Sequence, residues 1–502
     1  MTDGEADQNK ERPELKTFTV PFPLGETQGN LTINTKTPYK PSKEQIIKQA
    51  FKFHSQGNIS EALKYYQNFI NQGFSDPEVF SNYGLILRDF GKLKEAELFT
   101  RKAIEIKPKF ANAYNNLGSI LNDLGELNEA EFAIRNAIKI KPDFAEAFSS
   151  LGIILKGLNK LEEAELCLRK AIRIKPNLAM AYSNLGMVLY DLKKLKEAEL
   201  LTRESIQLNP DFAFAHSNLG SILKGLSRFE EAELSIRNAI RIKPDYAEAF
   251  WNLYTVSNSL EEAKERIKKC LQINEKHLKA KLTLSALNLY QGDDSSFNDL
   301  LKSKHMDHPY MRSFKWIFDL KENPKLLFRR WSLFDSMIKK SNKDRPFYEF
   351  GVWQGVSFKY LIKTFKKGYG FDTFEGLPED WHNNKKGAYS AERIIPNIDG
   401  GTFIEGKFEY TLSTFFAKPR PMASIINFDA DLYSSTICAL NHSKSVIDEH
   451  TILIFDEFIM NKHWEQDEYK ALNEFCSSNN LSYQVIAFSY ITGQVAVKLI
   501  GL

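Results

Sequence analysis

The sequence predicts a multidomain chain, an all-α superhelix of repeated helical hairpins followed by an α/β sheet domain. Three observations carry that prediction. Glycine, alanine and proline each recur every 34 residues through the first half. After about residue 345 the texture changes to short apolar runs separated by stretches of helical character, as a sheet covered by helices requires. A chain of 502 residues is also too long for one hydrophobic core.

Composition narrows the function classes before any motif is read. Hydrophobic residues make up 43% of the chain, which is ordinary for a globular protein, and the net charge is +3 with both signs interspersed. That balance argues against a nucleic-acid binder. No apolar run approaches the roughly 20 residues that span a bilayer, and "MTDGEADQNKERPELK" lacks an apolar signal core, so a cytoplasmic protein without a membrane span is expected. Cys167, Cys270, Cys438 and Cys476 show no C-x-x-C spacing and read as reduced, mostly buried thiols rather than disulfides or a zinc site.

Residues 1–42 are rich in Pro, Thr, Asn, Gly and Lys without helical period and are expected to form a disordered tail. From residue 43 to 277 a repeat takes over. Gly84, Gly118, Gly152, Gly186 and Gly220 keep an interval of 34, as do Ala62, Ala96, Ala130, Ala164, Ala198 and Ala232, and Pro108, Pro142, Pro176, Pro210 and Pro244. Small Gly118 and Ala130 let the two helices of a hairpin approach, Tyr114, Leu117, Leu121, Ile134 and Ala137 fill the seam, and Pro142 ends the second helix. The clearest copy, "AYNNLGSILNDLGELNEAEFAIRNAIKIKP", is similar to the tetratricopeptide repeat. Seven units are expected, starting near 43, 77, 111, 145, 179, 213 and 247, the last with a shortened inter-helix turn. Asn82, Asn116, Asn184, Asn218 and Asn252, with Ser150 breaking the series, resemble the asparagine row by which some arrays hold a peptide on the concave face. The alternative is a tolerated polar residue on a solvated helix.

Residues 278–344 read as a helical cap and connector, since "KAKLTLSALNLY" and "PKLLFRRWSLFDSMIKK" have helical apolar spacing. Residues 345–502 then offer seven strands: "RPFYEFG", "GYGFD", "TFIEG", "ASIINFD", "TILIFDE", "SYQVIAF" and "QVAVKLI". That number suits a Rossmann-like sheet of the class I methyltransferase kind, in which the final strand runs antiparallel.

The chemistry-bearing residues cluster at strand ends. In "YEFGVWQGVS", Glu349, Gly351, Gly355 and Ser357 mark a strand-to-helix turn where backbone can approach a ligand. Asp372 ends the second strand, a place from which a carboxylate can accept both hydroxyls of a ribose. Asp429 and Asp431 follow the fourth strand in "NFDADLYSST", and Asp456 and Glu457 end the fifth in "ILIFDEF". Carboxylates at the ends of strands about 4.8 Å apart converge and raise one another's pKa unless a cation relieves them. A helix cap is the plainer use for Asp429, although Ser434 and Ser435 sit closer to that task.

Taken in order, "EFGVWQGVS", "FDTFEGLP", "GKFEYTL", "FDADLYSST" and "FDEF" followed by "YKALNEF" resemble the macrocin O-methyltransferase family. The resemblance implies a seven-stranded S-adenosyl-L-methionine-dependent methyltransferase domain acting on sugar hydroxyls with a divalent cation such as Mg²⁺. It further implies that Glu349, Gly351, Gly355 and Ser357 hold the methionine end of the cofactor and Asp372 its ribose. Asp429, Asp456 and Glu457 would then be metal ligands and Asp431 the general base. Glu457 stands where the family has aspartate, and the loop after it is longer. His463 in that loop is a surface residue, part of the acceptor pocket or an alternative base.

The expected function is therefore metal-assisted O-methylation of a sugar or glycosylated acceptor, with the repeats recruiting a protein partner or substrate. Two other readings are carried beside it. One is a repeat adaptor whose C-terminal domain is catalytically weak or inactive, and the other is methylation of a protein delivered by the repeats.

Overall fold

A computed structural model describes residues 41–382, 384 and 386–502, so the expected tail lies outside the described residues except for its last two positions. The described chain forms two compact units, residues 41–226 and 227–502.

The first unit is a run of antiparallel helix pairs. These are α1 (Lys43–Ser55) with α2 (Ile59–Asn71), α3 (Pro77–Asp89) with α4 (Leu93–Ile106), and α5 (Ala111–Leu124) with α6 (Leu127–Ile140). There follow α7 (Ala145–Gly157) with α8 (Leu161–Ile174), α9 (Ala179–Asp191) with α10 (Leu195–Leu208), and α11 (Ala213–Gly225). The helices start where the 34-residue period places them. Close approach explains the recurring small residues: a Cβ on Gly118 would lie 2.5 Å from Ile134 Cδ1, and one on Gly152 2.5 Å from Leu168 Cγ. Ala62, Ala96, Ala130, Ala164 and Ala198 are fully buried in the same seams.

Three of the asparagines bond within the array. Asn116 Nδ2 donates to Ser81 Oγ at 2.9 Å, Asn184 to Ser149 at 3.2 Å and Asn218 to Ser183 at 2.9 Å. Asn82, Asn116 and Asn184 are buried, and the three bonds tie the repeats that begin near 111, 179 and 213 each to the one before it.

The second unit begins with α12 (Phe229–Ile242), α13 (Ala247–Tyr254) and α14 (Leu260–Ile273), continues through α15 (Leu278–Tyr290), α16 (Ser295–Leu301) and α17 (Pro309–Phe318), and reaches β1 (Lys325–Leu327) and α18 (Arg330–Lys340). The shortening of the last repeat falls on its first helix, which has 8 residues against 13 in α11, and not on the turn. The alternating domain follows as β2 (Phe347–Phe350), α19 (Val356–Leu361), β3 (Gly368–Asp372), β4 (Gly401–Glu405), α20 (Phe408–Phe416), β5 (Ile425–Phe428) and α21 (Tyr433–Ser443). It closes with β6 (Ile452–Phe455), α22 (Glu468–Ser478), β7 (Ser482–Ser489) and β8 (Val495–Ile500).

All seven expected strands form, and with an eighth the sheet runs in the order β1-β7-β8-β6-β5-β2-β3-β4. The final strand, β8, is antiparallel to both β6 and β7, and the other pairings are parallel. The eighth strand comes from "KLL", read above as helix, which pairs with Ala487–Ser489 at the sheet edge. Three residues are too few to show alternation, so helical spacing on either side concealed the strand.

The chain leaves β2 for β3 and β4, then returns to β5 on the other flank of β2. Strand order reverses there, and the crevice at the carboxyl ends of such strands is where open α/β sheets bind ligands. One row of phenylalanines sets the register at that end. Phe350 lies beside Phe371 and Phe428, and Phe428 beside Phe455. The rings stack with centroids 4.9, 5.4 and 4.7 Å apart.

Helices read as a connector are part of this unit's core. Phe314 of α17 stacks on Tyr490 at 5.2 Å, and the Tyr490 hydroxyl donates to the Thr283 carbonyl of α15 at 3.0 Å. Met311, Phe314 and Ile317 share one buried cluster with Phe455, Phe458 and Val495.

Candidate functional site

The row that follows the phenylalanines is Asp372, Gly351, Asp429 and Asp456, one residue from each of β3, β2, β5 and β6. Backbone bonds continue the ladder into it, Gly351 N–H to the Phe371 carbonyl at 2.9 Å, Asp429 N–H to Phe350 at 2.8 Å and Asp456 N–H to Phe428 at 3.1 Å. The phenylalanines face the core, so the next residues emerge together at the sheet end. Gly351 has φ +89°, and a Cβ there would lie 1.9 Å from the Asp429 carbonyl oxygen. Only glycine lets these two loops touch.

Glu349, two positions before Gly351, is fully buried. Ser357 Oγ donates to its Oε1 at 2.5 Å, while Oε2 has no hydrogen-bond partner. Burial and the nearby Asp429 push its pKa well above the carboxylate range, against the pull of Ser357 and Arg330. Asp372 is spoken for by its own loops. Its Oδ2 accepts the Val352 and Trp353 N–H groups and its Oδ1 the Phe374 N–H, each at 2.7 Å. Its visible work is to fold the turn from β2 into α19, where Gly355 adopts φ +71° against Ile398 and Pro396.

Asp431 is buried at φ +61°, and its Oδ1 has no hydrogen-bond partner. Burial first, then Glu457 and Asp429, raise its pKa well above the usual value. Tyr389 packs on the Leu377, Trp381 and Leu432 cluster beside it. Burial and Asp431 hold the phenol's pKa up. Asp429 does not cap the helix that follows, because Leu432 is the N-cap of α21 and makes no side-chain bond there. Ser434 instead donates to Glu379 at 2.5 Å.

Two residues at this end were not anticipated. Arg330, at the head of α18, pairs with Asp456 and lies 3.7 Å from Asp429 Oδ2. Burial works against its charge, but Asp456 and Asp429 more than offset that and raise its pKa. Glu468, at the head of α22, is buried, accepts the Glu457 N–H on Oε2 at 3.2 Å, and leaves Oε1 without a partner. Both were legible as charges at the head of an apolar helical face: Arg330 precedes Leu333, Phe334 and Met337, and Glu468 precedes Ala471, Leu472 and Phe475.

The expected cation set of Asp429, Asp456 and Glu457 does not fit a divalent ion. Asp456 Oδ2 meets Arg330, and its Oδ1 accepts the Gln494 amide. Among the described residues no three His, Cys, Asp or Glu side chains gather as a metal would require. The cofactor assignment fits better. A glycine-lined loop, a buried carboxylate with an unpartnered oxygen and the strand reversal coincide. His463 is not a plain surface residue, since its ring stacks at 4.4 Å on His382, whose Nε2 bonds Asp467 Oδ2 at 2.8 Å. The four cysteines are free thiols, two buried and two half-buried, and no described helix is long and apolar enough to cross a membrane.

Comparison with known proteins bears on the repeats. One tetratricopeptide repeat model matches residues 77–110, 111–144, 145–178 and 215–246, and a second matches 178–209. No curated protein matches the chain. Among solved structures it is similar to the Cut9–Hcn1 hetero-tetramer of APC/C, at 14% identity and TM-score 0.44. That match covers 54% of this chain and 56% of the other, so the chain spans little more than half the length of that structure. It is also similar to a thermophilic TPR protein of Thermus thermophilus, at 19% identity, 36% and 98% coverage and TM-score 0.34. YrrB, described as a TPR protein with an unusual peptide-binding site, matches at 24% identity, 36% and 95% coverage and TM-score 0.27. The chain thus carries a tetratricopeptide repeat array in its N-terminal part, followed by a C-terminal region built on a mixed eight-stranded sheet.

Proposed function

We propose that the sheet domain binds S-adenosyl-L-methionine at the carboxyl ends of β2 and β5 and methylates a hydroxyl of a sugar or glycosylated acceptor, while the repeats hold a protein or peptide. The observation that carries this reading is the in-register row of Gly351, Asp372 and Asp429 at the strand reversal, with the unpartnered Asp431 oxygen two residues on. The antiparallel β8 between β6 and β7 supports the same reading. So does the resemblance of the strand-end motifs to macrocin O-methyltransferases.

When bound, the cofactor supplies a methyl group activated by a sulfonium. Gly351 and Gly355 let backbone approach it, and Glu349 and Ser357 stand at its methionine end. Asp372 holds their loop in shape. Asp431 takes the acceptor's hydroxyl proton on Oδ1, which has no partner within the protein. Tyr389, which feels the charge of Asp431, borders the acceptor side.

Calorimetry of the full chain with S-adenosyl-L-methionine tests the reading. One binding site per chain is expected, and Asp431→Asn keeps that binding while lowering methyl transfer by about 10²- to 10⁴-fold. Absence of binding favours the adaptor reading, which the engagement of Asp372 and Asp456 by their own neighbours also suits. A methyl-labelled product carried on protein rather than glycan favours the third.

A further inference from the structure

We infer that Arg330 is the resident cation of the Asp429 and Asp456 pair, filling with a side chain the place that a divalent ion would take. The two aspartates are in register on neighbouring strands, because Phe428 pairs with Phe455 immediately before them. Carboxylates that close need a positive charge between them. A guanidinium is planar and presents several donors, so it can serve two carboxylates at once. Arg330 does so through Nη2 to Asp456 and Nη1 toward Asp429.

Its position is built rather than adventitious. α18 buries Leu333, Phe334 and Met337 on the face that Arg330 heads. Arg329 turns the other way, to the Val256 carbonyl and over the Phe229 ring at 4.8 Å, which fixes the entry of the helix. On the far side, Gln494 is fully buried and bonds Asp456 Oδ1. Its Oε1 accepts the Thr492 hydroxyl at 3.2 Å, so its amide N–H₂ is the end turned to the aspartate. Asp456 therefore has a donor on each oxygen, with which a metal would have to compete, and a second cation beside Arg330 would be repelled.

The inference concerns the carboxylates alone and does not depend on methyl transfer, which calorimetry with the cofactor reads separately. Electron paramagnetic resonance of Mn²⁺ titrated into the full chain tests it. The wild-type protein is expected to leave the free-ion spectrum unchanged at equimolar Mn²⁺, whereas Arg330→Gln takes up one ion per chain and loses it again when Asp429→Asn is added. Stoichiometric uptake by the wild type that Asp429→Asn abolishes overturns the inference. A folded Arg330→Gln protein that binds nothing also overturns it, because Arg330 would then not be what keeps the ion out. Should Arg330→Gln fail to fold, the wild-type melt decides: an unchanged midpoint with Mg²⁺ or with chelator supports the inference, and a rise with Mg²⁺ that Asp429→Asn removes overturns it.

Discussion

Glu468 is a carboxylate buried with one oxygen unpartnered, and its pKa is raised well above the ordinary value by burial and by Asp456. The native state therefore keeps a proton that the unfolded chain releases near pH ~4.3. Stability from this group is fully present below that pH and declines as pH rises toward the raised native value, because the native state binds more protons across that window. Glu468→Gln keeps an acceptor for the Glu457 N–H and removes the titration. The variant is expected to gain about 1–2 kcal/mol over wild type at pH ~8, with the difference closing toward pH ~4. Urea unfolding at several pH values checks this, and a gap independent of pH counts against it. At this scale much of the site was legible: phenylalanine followed by aspartate or glycine at the strand ends announces a core residue and then one that emerges from the sheet. What the strand motifs could not show was Arg330, which lies outside them and meets Asp456 only through tertiary packing.

Between elements, Asn116, Asn184 and Asn218 make bonds internal to the array. Ser81 and Asn116 are 35 residues apart, as are Ser149 and Asn184 and Ser183 and Asn218. That interval is one more than the repeat, so comparing equivalent positions at the repeat interval does not reveal the pairing. A double-mutant cycle of Ser81→Ala and Asn116→Ala is expected to give a coupling of about 1 kcal/mol, the net worth of a buried hydrogen bond. The longer Ser149 and Asn184 pair should couple less. Denaturant titration of the four proteins of each cycle measures both, and additivity at Ser81 and Asn116 would show that the bond does not hold the two repeats together. The helix pairs themselves were readable to within a residue or two, because Gly, Ala and Pro each answer a local steric demand. The strand β1 was not, because only its partner β7 makes it a strand.

For the molecule as a whole, the change in texture near residue 345 marks a change of periodicity, and the compact unit that holds the sheet begins well before it. The second compact unit runs from residue 227 to 502, and the apolar faces of α15 and α17 are buried against the sheet domain. Trp316 packs on Phe458, Trp464 and Tyr469 with ring centroids 5.5–5.8 Å apart. Arg312 reaches Glu465 at 2.7 Å and the Lys462 carbonyl at 2.9 Å, and Ser313 Oγ accepts the Met460 N–H at 2.8 Å. These contacts hold the loop after β6 that carries His463. Amphipathic spacing tells that a helix has a buried face but not what covers it, so a hinged connector and a fused one read alike in sequence. Cutting at 345 would remove β1, α18 with Arg330, and the helices covering that loop. Residues 345–502 alone are therefore expected to lack a cooperative melt and to bind an apolar dye, whereas residues 227–502 give a single sharp transition by circular dichroism. A cooperative melt from the shorter fragment would show that the sheet carries its own core, and that the helices from 278 to 344 are covering rather than structure.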